Sequence, residues 1–151
     1  EWFGKLASEG RYEVNDDVKA KLKADFAAGF CDDAQTKAVI KEIYDKYSYT
    51  LDTHTAVAVK VYEDYKKATG DNTKTVIAST ASPYKFSTAV LEAIEGKVSD
   101  MDEFDKVERL HEVSGYDVPK SLAELKNKPI RFTGAIGRDE MKDFVLKSLS
   151  L

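Results

Sequence analysis

Two small groups of polar side chains hold the chain's candidate chemistry. In the first, Asp52 and His54 stand two apart in Thr50-Leu51-Asp52-Thr53-His54-Thr55, a spacing at which a carboxylate could orient an imidazole as a general base. In the second, Ser79, Thr80 and Ser82 crowd into Ala78-Ser79-Thr80-Ala81-Ser82-Pro83, and Lys85 follows shortly after the proline. Hydroxyls among small residues can hydrogen-bond a ring or a phosphate at close range without adding charge. A lysine beside them could reach a phosphate or form a Schiff base. Each residue also has a plain structural reading. Asp52 or Thr53 suits the cap of a helix, leaving His54 a packed loop residue. Ser82 before Pro83 suits a helix start, which would put Lys85 on a solvated face.

Other chemistries find less support. No Gly-x-Ser-x-Gly elbow surrounds any serine, which argues against a Ser-His-Asp hydrolase. With one cysteine, Cys31, and two distant histidines, His54 and His111, no metal-ligand spacing appears and no metal is expected. The acidic residues at 100, 102, 103 and 105 lack the glycine and terminal glutamate of a calcium loop and read as a solvated helix face. His111, among charged residues, reads as surface. The eight glycines are scattered, so no phosphate-cradling loop is present. A net charge of -4 gives no reason to expect nucleic acid or an anionic membrane as partner. No apolar run approaches membrane-spanning length and no signal peptide is visible. A single cysteine cannot form an internal disulfide, so a cytoplasmic protein is expected.

The elements that must position these groups follow from periodicity. Thr75-Val76-Ile77 is a β-branched run suited to a buried strand. Past the hydroxyl-rich turn, Pro83 opens a helix through Phe86, Ala89, Val90 and Ile94, closed by Gly96. In an open α/β sheet the carboxyl end of such a strand is where ligands sit. Upstream, a short helix with Trp2, Phe3 and Leu6 stops at Gly10. Asn15 caps a second, Asp32 or Asp33 a third with Ala38, Ile40, Ile43 and Tyr44 inward, and a fourth runs from Thr55 to a stop at Gly70. Downstream, Ser99 or Asp100 caps a helix through Met101, Phe104, Val107 and Leu110. Pro119 and Asp139 or Arg138 begin two more. Residues 11–14, 28–31 and 129–133 are further short-strand candidates. The fold expected is α/β and helix-rich, with a few short strands among packed helices, as a single unit over 1–151. One clear strand cannot make a sheet alone, and the chain opens Glu1-Trp2-Phe3 without a methionine. A piece of a longer polypeptide is therefore expected.

Leu51-Asp52-Thr53-His54-Thr55-Ala56-Val57-Ala58, then a helix, then Val76-Ile77-Ala78-Ser79-Thr80-Ala81-Ser82-Pro83-Tyr84-Lys85-Phe86 resembles the carboxy-terminal part of threonine synthase. That family carries Asp-Pro-His-(Thr/Ser)-Ala and, after a helix, Thr-Ala-(His/Ser)-Pro-x-Lys-Phe. The likeness extends loosely over nearly the whole chain. It implies a pyridoxal-phosphate enzyme of the tryptophan-synthase-β fold type, converting O-phosphohomoserine and water to threonine and phosphate. It also implies that a hydroxyl at the strand end, Thr80 with Ser79 beside it, hydrogen-bonds the pyridine nitrogen. Asp52, His54, Ser82 and Lys85 are then candidates for shaping the substrate pocket. Thr53 stands where the family has proline, and Ser82 where histidine is common. The lysine that carries the cofactor and the loop that binds its phosphate lie upstream in the family, so no catalytic residue is expected in this chain. Lys85 is not that lysine. The segment would be one wall of a site completed by the rest of the same polypeptide, and inactive alone. Two other readings are a non-catalytic binding domain that keeps the fold, and another pyridoxal-phosphate enzyme such as a serine/threonine dehydratase.

Overall fold

A computed structural model describes residues 1–98 and 100–151 of the chain. The chain divides into two compact units, Glu1–Asp117 and Val118–Leu151. In the first, α1 (Trp2–Glu9) and α2 (Asp16–Asp25) lead into α3 (Asp33–Tyr47), α4 (Thr53–Thr69), α5 (Ser87–Glu95) and α6 (Glu103–Ser114). A 3₁₀ turn, Pro83–Phe86, feeds directly into α5. The second unit holds a short α7 (Lys120–Ala123), two 3₁₀ turns and α8 (Met141–Ser148), and none of these elements buries a residue.

The core of the first unit is a stack of helices in which α3 packs on α4 and on α5, and α5 packs on α6. α3 supplies Val39 and Ile40, α5 supplies Val90, Leu91 and Ile94, and α6 supplies Val107 and Leu110. Helix ends follow local chemistry. The Asn15 side chain accepts from Val18 N–H at 3.0 Å and starts α2. Asp32 and Gln35 form a reciprocal capping box at the start of α3. Gly70 closes α4 at φ 72°, a left-handed conformation in which a β-carbon costs energy. Asp102 caps α6 through the N–H groups of Phe104 and Asp105. The cap expected at Ser99 or Asp100 is thus supplied by Asp102; Ser99 itself lies outside the described residues.

The helix-rich character expected from the sequence is present, but the short strands are not. Among the described residues no strand forms at 75–77, 11–14, 28–31 or 129–133. A strand is stable only when another pairs with it and covers a face, and none of these segments is assigned to a strand among the described residues. Val76, expected to be buried in a central strand, is 94% exposed. A second correction concerns α3. Ala38 is exposed, and the inward stripe is Thr36, Val39, Ile40 with Ile43 and Tyr44 partly covered. The polar Thr36 is tolerated there because its hydroxyl donates to the Asp32 carbonyl at 2.8 Å. No helix among the described residues is long and apolar enough to cross a membrane.

Candidate functional site

The site is built on the start of α4. Asp52 sits in extended backbone just before the helix, and its Oδ1 accepts from the N–H of His54 at 2.8 Å and of Thr55 at 3.1 Å. Its Oδ2 takes a short hydrogen bond from the Thr55 hydroxyl. With 1% of its surface exposed, Asp52 presents nothing to a ligand directly. The His54 ring makes no hydrogen bond to the Asp52 carboxylate, since His54 Nδ1 lies 3.8 Å from Asp52 Oδ1. Instead the exposed His54 ring packs against Phe86, with centroids 4.9 Å apart and the planes tilted by 38°. The capping role is the one Asp52 fills.

The hydroxyl-rich loop comes back to the same helix end. Ser79 Oγ lies 3.1 Å from Thr55 Oγ1, which ties the loop to α4 across 24 residues of sequence. Thr80 is exposed and makes no hydrogen bond to a described residue. Ser82 Oγ accepts from Tyr84 N–H at 3.3 Å and so caps the Pro83–Phe86 turn. Lys85 is exposed, its Nζ 5.9 Å from the Phe86 ring centre. Asp52, His54, Ser79 and Phe86 are therefore brought into one neighbourhood by direct contacts, and Thr80, Ser82 and Lys85 adjoin it along the chain.

An open cleft of about 500 Å³ lies beside this neighbourhood, between the first turns of α3 and α4 and the flank of α5. Thr36, Lys37, Thr53, His54, Val57 and Ala89 line it. Lys37 is held by Glu92 at 2.6 Å. Of the sequence-predicted candidates only His54 reaches this cleft. Among the described residues no three His, Cys, Asp or Glu side chains converge to hold a metal ion.

Sequence reasoning overlooked Tyr84 and the segment after α6. Tyr84 is buried, and its hydroxyl donates to the carbonyl of Tyr116. That carbonyl also lies 2.6 Å from His111 Nδ1, which must therefore carry its hydrogen on that atom. Tyr44 of α3 donates to Val113 O at 3.1 Å, and Thr50 N–H points at Tyr116 Oη at 3.4 Å. Residues 113–116 thus hold α3, the approach to α4 and the Pro83–Phe86 turn together. Only the run of tyrosines, each with an apolar ring and one polar tip, hinted at this in the sequence.

Burial pushes the Tyr84 phenol above its ordinary value of 10.0. A folded-state value above the unfolded one stabilises below the unfolded value and is lost as pH rises through the folded one. Tyr84→Phe is expected to destabilise at pH 7 by about 0.5–1.5 kcal/mol, the net worth of one hydrogen bond, because His111 still donates to the Tyr116 carbonyl. In urea titrations that gap should narrow from about pH 10 upward. A gap constant with pH would show that the phenol is not ordered by this contact.

The family model described as threonine synthase, C-terminal, matches residues 55–145. "Threonine synthase-like 1" of Homo sapiens is 32% identical over 103 residues, covering 68% of this chain and 13% of the relative. Threonine synthase of Methylobacillus glycogenes is 33% identical over 99 residues, 64% of this chain and 20% of its own. Threonine synthase of Corynebacterium glutamicum is 27% identical over 128 residues, 83% of this chain and 24% of its own. The chain therefore spans a quarter or less of these relatives' length. In fold it resembles the crystal structure of PLP-bound threonine synthase from Brucella melitensis, with a TM-score of 0.60 and 23% identity over 87% of this chain and 24% of that one. With the match running from the first turn of α4 through the hydroxyl-rich loop and into α8, the chain belongs to the threonine synthase family and represents its carboxy-terminal region.

Proposed function

We propose that this chain is the carboxy-terminal segment of a pyridoxal-phosphate-dependent threonine synthase and forms one wall of its cofactor site. The full-length enzyme would convert O-phosphohomoserine and water to L-threonine and phosphate. The family match over residues 55–145, which contains the exposed hydroxyls of Ser79 and Thr80, carries this reading.

The residues present suit one edge of the cofactor. Ser79 and Thr80 stand exposed between the small Ala78 and Ala81, offering hydrogen bonds without a formal charge. Thr80, with no competing partner among the described residues, is the group that would hold the ring nitrogen. When bound, pyridoxal phosphate supplies an electron sink, and a neutral hydrogen-bond partner at the ring nitrogen tunes its strength. His54 on the cleft wall and the exposed Lys85 would face the phosphorylated substrate. Asp52 and Ser82 would act from behind, by fixing the start of α4 and the Pro83–Phe86 turn. The lysine that carries the cofactor and the cradle for its phosphate would come from the rest of the polypeptide, so the segment alone would be inactive.

The test uses the full-length polypeptide supplied with pyridoxal phosphate, following phosphate release from O-phosphohomoserine. Thr80→Val is expected to lower kcat/KM about 10- to 100-fold, the worth of one hydrogen bond to a charged group. Relatives named threonine synthase-like 1 keep a second reading in view, a protein that retains the fold and runs no such reaction. Cofactor absorbance without phosphate release would overturn the substrate. Absence of both signals in a folded protein would leave a non-catalytic binding domain.

A further inference from the structure

Residues 27–31, between α2 and α3, carry main chain without partners. The Phe26 N–H closes α2 on the Leu22 carbonyl at 2.8 Å, and helical bonding resumes at the Asp32 carbonyl, which accepts from Thr36 N–H at 2.9 Å. Both bounding residues are in extended backbone, Phe26 at φ -129°, ψ 138° and Asp32 at φ -82°, ψ 176°. Between them the N–H and C=O groups of 27–31 make no hydrogen bond to a described residue. Each is a strong donor or acceptor that a folded chain pairs or leaves to water.

One side of this stretch is already seated. A β-carbon built on Gly29 would lie 3.0 Å from Val61 Cγ1, so the main chain approaches α4 as closely as glycine allows. Cys31 Sγ lies 3.2 Å from Thr36 Oγ1, at the start of α3. The large rings go the other way: Phe26 is 71% and Phe30 88% exposed. Gly29 and Cys31 against Phe26 and Phe30 is the odd-even alternation of a pleated strand with one face covered. Helix packing on one face supplies what a lone strand lacks there, which leaves only a neighbouring strand wanting. A groove of about 290 Å³ beside it, between Ala27, Ala28 and Phe30 and the α4 residues Val61, Tyr65 and Ala68, has room for a small apolar side chain. The uncovered surface continues toward the amino terminus, since α1 and α2 bury no residue.

We propose that residues 27–31 form a strand by accepting a strand from the remainder of the same polypeptide, main chain to main chain, and that this part covers Phe26 and Phe30. Adding a strand in this way draws affinity from backbone hydrogen bonds and selectivity from the groove that receives alternate side chains. The source follows from length. The chain spans a quarter or less of its relatives, so most of the polypeptide read above lies outside these residues. A tethered strand meets the site at an effective concentration of about millimolar, far above that of a second copy. The proposal rests on the reading of this chain as the carboxy-terminal segment of a longer polypeptide, and not on the reaction that polypeptide runs. In the 151-residue chain by itself the two rings meet water and their truncation costs little.

Hydrogen–deuterium exchange of the full-length polypeptide, read by mass spectrometry, tests the pairing. The amides of 27–31 are expected to exchange about 100-fold or more slowly than an unstructured peptide, because a paired strand must open first. Phe30→Ala should speed them about 10-fold or more, the equivalent of one phenylalanine's burial. Exchange at the unstructured rate in the parent overturns the proposal. A photoreactive phenylalanine analogue at position 30 identifies the occupant. A link at monomer mass to a residue outside 1–151 supports the proposal, and a link to a second copy or to a residue within 1–151 overturns it. Phosphate release from O-phosphohomoserine by the same preparation reports on the functional reading separately. Slow exchange without release keeps the strand and fails that reading; release with unhindered exchange does the reverse.

Discussion

Leu91→Ala is expected to lower the unfolding free energy by about 2–5 kcal/mol, the range for deleting a fully enclosed leucine and leaving a cavity. Leu91 is completely buried on α5, the helix that packs against both α3 and α6. The Pro83–Phe86 turn runs straight into this helix, so a loosened α5 also loosens the chain that bears Ser82 and Lys85. Domains hold only about 5–15 kcal/mol of stability, so this one truncation takes a large share. Phe30→Ala makes the contrast. Phe30 is 88% exposed, and its loss should change stability by no more than about 0.5 kcal/mol. Urea unfolding followed by circular dichroism measures both. A loss below about 1 kcal/mol for Leu91→Ala would mean that the stack collapses onto the gap, or that α5 is not central to it.

What the sequence made legible was local, and what it hid was distant. The caps at Asn15 and Asp52 and the stops at Gly10 and Gly70 are read directly, because each rests on groups within about four residues of one another. The strand expected at Thr75–Ile77 failed for the opposite reason. Its β-branched composition is a fitness for pairing, and pairing needs a partner that no described segment supplies. The α3 stripe was misplaced at Ala38 because hydropathy counts an alanine as apolar and a threonine as polar. The Thr36 hydroxyl, answered by the Asp32 carbonyl, makes a better core residue there. For the candidate site, the two motifs were visible, and so was the capping alternative for Asp52. Their physical link through Thr55 and Ser79 was not, since nothing in the spacing of residues 55 and 79 states that they meet. The hub at residues 113–116 was hidden in the same way, being made of backbone carbonyls that every sequence possesses.

Asp52 brings both a hydrogen-bond acceptor and a charge to the start of α4, and two substitutions there should pull them apart. Asp52→Ala removes the acceptor for two backbone N–H groups in a buried setting. The lost cap and the unanswered donors together should cost about 2–4 kcal/mol of stability. Asp52→Asn is a different experiment. Asparagine caps helices about as well as aspartate, so its Oδ1 can keep both backbone contacts and the stability loss should stay within about 1 kcal/mol. Its amide nitrogen would then face the Thr55 hydroxyl and donate to it, so that this buried contact is kept with its direction reversed. Urea unfolding followed by circular dichroism measures both variants, and Asp52→Asn should retain most of the stability that Asp52→Ala loses. Equal destabilisation by the two would mean that the negative charge, and not the two backbone contacts at Oδ1, is what Asp52 contributes to the start of α4.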